Sequence, residues 1–133
     1  MKHFILGVLC LLTAIAPEQK EEWHTSKSGL KYTILKEGTG PQAKLDQEVE
    51  IHESTRYRDG SLLFTSEGMP PLRFKLGSKT VIAGVEEGIQ GMRQGEIRKL
   101  IVPPDLSKRT SYPAILHKDS ILVYRIELMS IIK

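Results

Sequence analysis

An α+β fold, with a curved antiparallel sheet of about five or six strands wrapped on one short helix, follows from three observations. Short runs of strand-forming residues recur along the chain, each closed by Gly, Pro or Asp-Gly turn chemistry. One stretch, Val81 to Glu96, switches to helical spacing, with Val81, Ile82, Val85, Ile89 and Met92 forming a single apolar stripe. The last run, Ile121 to Ile132, returns to alternation, placing Leu122, Tyr124, Ile126 and Leu128 on one face. Strands in succession with one late helix imply a helix packed against one face of an antiparallel sheet.

The elements follow in order. Residues 1–16 read as a signal peptide or an N-terminal anchor: Met1-Lys2-His3 is a basic start and Phe4 to Ala16 carries no charge. At 13 residues that run is short for a membrane span, which needs about 20, and suits a signal-peptide core. Ala14-Ile15-Ala16 offers a small-residue cleavage site, although Pro17 is a poor neighbour for it. Residues 17–27 are polar and patternless apart from Trp23, as a linker is. The remainder, 28–133, is one domain. Its first strand centres on Tyr32 to Leu35 and ends at a turn, Gly38-Thr39-Gly40-Pro41. Val49 to Arg58 alternates as a strand, Asp59-Gly60 signals a hairpin, and Leu62 to Phe64 resumes extended structure. Glu67 to Leu72 is a loop, because Pro70 and Pro71 cannot donate to a ladder. Arg73 to Leu76 is a brief strand before the helix.

Within the helix Gly84 and Gly88 each cost about 1 kcal/mol relative to alanine. Their presence points to a helix back lying close against a sheet. Gly91 and Gly95 are stop signals. Ile97 to Val102 reads as a central strand covered on both faces, closed by Pro103-Pro104. Asp105 to Asp119 is a long polar loop containing Tyr112-Pro113.

Composition excludes several functions. Formal net charge is +3, nearer +2 without the leader's Lys2, and no basic run is interleaved with aromatics, so nucleic acid is not an expected partner. The single cysteine, Cys10, lies in the leader and leaves the domain no disulfide or thiolate chemistry. His3, His24, His52 and His117 lack metal-ligand spacing, and no phosphate loop or nucleophile elbow is present, so neither metal nor cofactor is expected.

Four strings, in order, resemble one family: SGLKYTILKEGTG (28–40), the Asp59-Gly60 hairpin, FKLG with VIAGVEEGIQGM (74–92), and ILVYRIELMSI near the end. Together they span 28–131 and look like an FKBP-type (macrolide-binding) peptidyl-prolyl cis-trans isomerase domain of the bacterial exported type, with a divergent pocket. The resemblance implies an FKBP-like fold and a trough between helix start and sheet that holds a proline ring. It puts Val81 and Ile82 on the aliphatic wall, with the Ile82 N–H bonding a substrate carbonyl. Leu72 and Tyr124 take aromatic wall positions, Val85 the floor, and Ile115 and Leu116 the tip of the long loop. Either Leu63 or Phe64 takes the place of the pocket phenylalanine. Ile82 and Tyr124 are the residues it implicates in catalysis.

The chain departs from that pattern in four places. Glu53 stands where the family has tyrosine, and Phe64 or Thr65 where it has aspartate. Val85 replaces the floor tryptophan. Lys108 or Arg109 replaces the loop tyrosine, unless Tyr112 substitutes for it. Glu53 is expected near the pocket with Thr55 and Tyr57, with Ile51 opposite, as an edge-exposed carboxylate paired or solvated near Arg56, Lys108 or Arg109. The implied function is prolyl isomerisation, assisting folding of proline-containing polypeptide clients in the periplasm or outside the cell. The alternative is a weak or inactive peptide-binding or chaperone module. A monomer is expected, with no membrane contact beyond an N-terminal anchor.

Overall fold

The computed structural model describes residues 20–132; the leader expected at 1–16, Cys10 and the start of the linker lie outside them. Nine strands and one α-helix form among the described residues. They are β1 (His24–Thr25), β2 (Lys31–Lys36), β3 (Thr39–Gln42), β4 (Glu48–Tyr57), β5 (Leu62–Thr65), β6 (Leu72–Lys75), α1 (Ala83–Ile89), β7 (Arg93–Gln94), β8 (Ile97–Val102) and β9 (Leu122–Ile131). Seven strands make one antiparallel sheet in the order β1-β2-β8-β9-β4-β5, with β6 also on β4; β3 and β7 pair separately. The α+β class matches expectation, and the sheet is one strand wider because the short edge strand β1 joins it.

β4 is long enough to serve two partners on one side. Its first half pairs with β6, through Val49 with Phe74 and Ile51 with Leu72. Its second half pairs with β5, through Thr55 with Phe64. The opposite side of β4 runs along β9 for its whole length. The loop between β5 and β6 therefore opens beside the middle of β4, where Glu53 sits.

α1 is shorter than its apolar stripe. It covers seven residues, starting after Ile82 and ending at Ile89, so Met92 is buried beyond the helix rather than on it. Val85, Ile89 and Met92 are at most 1% exposed, packed with Leu100, Val102, Tyr124, Ile126 and Leu128 from β8 and β9. Full burial of such side chains stabilises by roughly 1.5–3 kcal/mol each, which outweighs the propensity cost of two glycines. The glycines are required by contact. A Cβ on Gly84 would lie 2.6 Å from Val102 Cγ1 and 3.2 Å from the Leu106 carbonyl oxygen, and one on Gly88 would overlap Leu100 Cδ1. The helix back thus meets side chains of β8 rather than the sheet's bare backbone.

α1 is tied down at two places along its length. Ser28 donates to the Glu87 carboxylate at 2.7 and 2.8 Å, joining the first family string to the helix. At the C-terminal end, Arg98 pairs with Glu96 in the interior, lies 4.6 Å from the Tyr32 ring centroid, and approaches the Gly88 and Gln90 carbonyls at 3.4 Å. A guanidinium there complements the partial negative charge of the last helical carbonyls.

Five local expectations change. The turn read at Gly38 to Pro41 overlaps β3, whose Thr39 and Gln42 pair with Gln94 and Arg93. His24 and Thr25, within the stretch read as patternless, pair with Tyr32 and Lys31. Leu72 opens β6 instead of closing the loop, and β9 starts at Leu122. Ile51 is not opposite Glu53: Val49, Ile51, Glu53 and Thr55 share one face by strand period, with Val49 and Ile51 fully buried. Among the described residues no helix is long and apolar enough to cross a membrane.

Candidate functional site

Two concavities open on the concave face of the sheet, and they share Glu53, Arg109 and Tyr124. The larger, about 850 Å3, lies between the start of α1, β6 and the loop after β8. Leu72, Val81, Ile82, Val85 and Tyr124 all line it. The smaller, about 350 Å3, takes Leu63, Phe64, Pro113, Ile115 and Leu116. Every residue expected at the site reaches one of the two, but the site is divided, with Tyr124 common to both.

Local structure explains each placement. Ile82 caps α1 in extended conformation, so its carbonyl accepts from Val85 and Glu86 N–H while its own N–H precedes the helix. That N–H donates to no backbone acceptor among the described residues. Before it, Lys79 sits at φ 61°, where a non-glycine residue is strained, and its N–H is held at 2.9 Å by Glu86 Oε1. The helix carboxylate thereby fixes the turn that delivers Val81 and Ile82 to the trough. Val85, one turn on, is 1% exposed and forms the floor from the helix's buried stripe.

Tyr124 comes from the centre of the sheet, paired with Leu100 of β8 and Thr55 of β4. Burial pushes its phenol above the ordinary value, against the charge of Arg109, so it stays a protonated hydroxyl. Arg109 Nη2 donates to that hydroxyl at 2.8 Å.

Leu63 packs against the core, whereas Phe64 is 45% exposed, although both border the smaller concavity. Ile115 is 58% exposed at the loop tip. Tyr57 anchors that tip: its hydroxyl donates to the Ile115 carbonyl at 2.6 Å and accepts from His117 N–H at 2.9 Å. Pattern alone offered no signal for this role, because the contacts join residues nearly 60 positions apart. Tyr112 does not supply a donor to either concavity. It turns back on its own loop, accepting from Arg109 N–H at 3.3 Å.

Glu53 is the largest correction. It is not on an edge, because β4 is flanked by β9 on one side and by β5 and β6 on the other. Its Oε2 is shut off from solvent without a hydrogen-bond partner. Burial raises the carboxyl above its ordinary value, and the nearby Arg109 charge opposes this without closing an ion pair. Of the three cations expected beside it, Arg109 is the one whose charge reaches it; Arg56 instead donates to the Gly60 carbonyl at 2.9 Å. Lys108 lines the larger concavity with Lys79 and Glu86, so its rim is charged and its floor apolar.

Known proteins share this fold. The family model of the FKBP-type peptidyl-prolyl cis-trans isomerase matches residues 40–129. FK506-binding protein 2 of Yarrowia lipolytica is 34% identical, covering 98% of this chain and 94% of the yeast protein. A 46 kDa FK506-binding nuclear protein of Spodoptera frugiperda is 33% identical over 84% of this chain, which spans only 28% of that longer protein. The crystal structure of a peptidyl-prolyl cis-trans isomerase from Pseudomonas syringae superposes with a TM-score of 0.74 at 28% identity, over 86% of this chain and 84% of its own. With a matching fold, a matching family model and a relative of nearly equal length, this chain belongs to the FKBP-type peptidyl-prolyl cis-trans isomerase family.

Proposed function

We propose that this chain isomerises X–Pro peptide bonds in polypeptides outside the cytoplasm, using the larger concavity for the proline ring. The observation that carries the reading is the convergence of Leu72, Val81, Ile82, Val85 and Tyr124 on one trough beside an uncommitted Ile82 N–H. Rotation about an amide faces a barrier of about 18–20 kcal/mol because twisting breaks resonance, and no bond need be made or cut to lower it. An apolar floor removes water from the ring. The Ile82 N–H holds a carbonyl of the bound peptide, and the walls favour the twisted amide over either planar form. In this reading Ile82 and Tyr124 act at the bond itself, while Leu63, Phe64, Ile115 and Leu116 hold the neighbouring residue.

Export rests on the uncharged run Phe4 to Ala16 following Met1-Lys2-His3. N-terminal sequencing of protein recovered from the native host tests it: a mature start after Ala16 supports export, and a cytoplasmic product starting at Met1 contradicts it.

A second reading, a peptide-binding module without catalysis, draws on Glu53 and Arg109. Charges at the junction of the two concavities make the trough wetter than one lined by aromatics alone. Refolding of a client limited by a proline step separates the two. An isomerase accelerates the slow phase at substoichiometric amounts, whereas a holdase only suppresses aggregation and needs equimolar amounts.

A further inference from the structure

The larger concavity is lined by three cations from two of its walls: Lys79 from the turn before α1, and Lys108 and Arg109 from the loop after β8. All three are exposed residues. Among the described residues the ion pairs are Arg73 with Glu48 and Glu50, and Arg98 with Glu96, so none of the three cations has a carboxylate partner. Two carboxyls also line the concavity, and neither offsets them fully. Glu86 spends Oε1 on the Lys79 backbone N–H at 2.9 Å. Glu53 has Oε2 shut off from solvent, and burial favours its uncharged form. The rim therefore carries an excess of positive charge that no residue of this chain neutralises.

That excess stands above an apolar floor. Val85 and Ile82 are buried beneath it, and a cleft with low-dielectric walls and one sign of charge concentrates its field toward the mouth. With a proline ring on the Val85 floor, the residues on either side of the ring leave through that mouth, past the cations. A carboxylate there is attracted from both walls. An uncharged side chain of the same shape gains nothing from the field, and an ammonium is repelled. We propose that Lys79, Lys108 and Arg109 are specificity determinants for an acidic side chain, so that this protein prefers peptides with Glu or Asp next to the proline. The inference rests on the reading of the trough as the substrate site. Each exposed charge pair contributes little alone, so the preference is a sum over the three cations and weakens with salt.

Two capped peptide series test it on the full chain, Ala-Xaa-Pro-Ala and Ala-Pro-Xaa-Ala, with Xaa as Glu, Gln or Lys. NMR titration gives Kd and exchange spectroscopy gives the isomerisation rate. The expected result at low salt, in at least one series, is Glu binding about fivefold tighter than Gln, and Lys weaker than Gln. The Glu-to-Gln ratio should approach one at about 0.5 M NaCl. It should also approach one in Lys79→Gln/Lys108→Gln, and Lys108→Glu should lower it at low salt. Both lysines are exposed and bond nothing through their side chains, and Lys108→Gln alone keeps the test open if the double variant fails to fold. Lys31→Gln, on β2 and lining neither concavity, makes the same change in net charge and should leave the ratio as it is. The proposal is overturned if Gln or Lys binds as tightly as Glu in both series at low salt. It is also overturned if the ratio survives in the folded lysine variants, or if Lys31→Gln lowers it as much as Lys108→Gln. Glu-selective binding without faster exchange contradicts the catalytic reading alone. Faster exchange without Glu selectivity contradicts this inference alone.

Discussion

Arg109 donates to the Tyr124 hydroxyl at 2.8 Å, joining the long loop after β8 to the central strand β9. Both residues border the two concavities. The bond also places a permanent positive charge near Glu53. One surface residue thus bonds the buried tyrosine of the site and bears on the electrostatics of its carboxyl.

Removing only that hydroxyl separates shape from tethering. Tyr124→Phe keeps the ring in the sheet, and its stability should fall by about 1 kcal/mol, the net value of one hydrogen bond. Amides near Arg109 should exchange faster once the tether is gone. Hydrogen exchange by mass spectrometry reads this directly, and unchanged loop protection would show that the bond does not hold the loop.

The Glu53 carboxyl should make stability depend on pH in a specific direction. Its value in the folded protein is raised above the ordinary 4.5, so the folded state binds more protons than the unfolded state between those two values. Stability attributable to this group therefore falls as pH rises through that window, and the penalty persists above it. Glu53→Gln removes the charge. The variant should match wild type below the ordinary carboxyl value and exceed it at neutral pH. Urea unfolding across that range checks the sign; a variant less stable at neutral pH contradicts a net desolvation penalty.

Gly84→Ala opposes propensity with packing. Alanine gains about 1 kcal/mol in a helix interior. The new Cβ would sit 2.6 Å from Val102 Cγ1, on a stiff β-branched side chain, and 3.2 Å from the Leu106 carbonyl oxygen. Overpacking of about 1–3 kcal/mol should win, so thermal unfolding is expected to show a less stable variant.

Val85→Trp tests the floor of the larger concavity. A broad flat surface under the proline ring should raise kcat/KM, because it contacts the twisted amide's ring over more area. Val85 is 1% exposed, so the same change is expected to cost about 1–3 kcal/mol of stability. Activity is compared only after circular dichroism shows the variant folded. A folded variant with equal or lower activity contradicts the placing of Val85 beneath the substrate.

The sequence made the framework legible where local and long-range signals agreed. Leu122, Tyr124, Ile126 and Leu128 alternate in sequence and are all at most 2% exposed, because β9 lies between β8 and β4 and alternation there is burial. Gly84 and Gly88 announced a close approach that the structure supplies as Val102 and Leu100. What pattern could not reveal depends on pairing across distance. β3 was hidden because Gly40 and Pro41 are turn residues by composition; Gly40 keeps a positive φ of 83° within a register shift, and it is Thr39 and Gln42 on either side that pair with Gln94 and Arg93. Glu53 was misplaced because a glutamate on a strand reads as an edge residue until β5 and β6 are seen covering the same side of β4. The role of Tyr57 rests on Ile115 and His117, which no window of sequence contains.

The claim that the trough isomerises prolyl bonds is tested most directly by exchange NMR on Ala-Leu-Pro-Phe with substoichiometric protein. The uncatalysed cis–trans exchange takes tens to hundreds of seconds. The account predicts faster exchange with wild type and loss of that acceleration in a folded Tyr124→Ala variant. Exchange remaining at the uncatalysed rate while the peptide's resonances shift on binding would contradict it, and would leave a peptide-binding module on an isomerase fold.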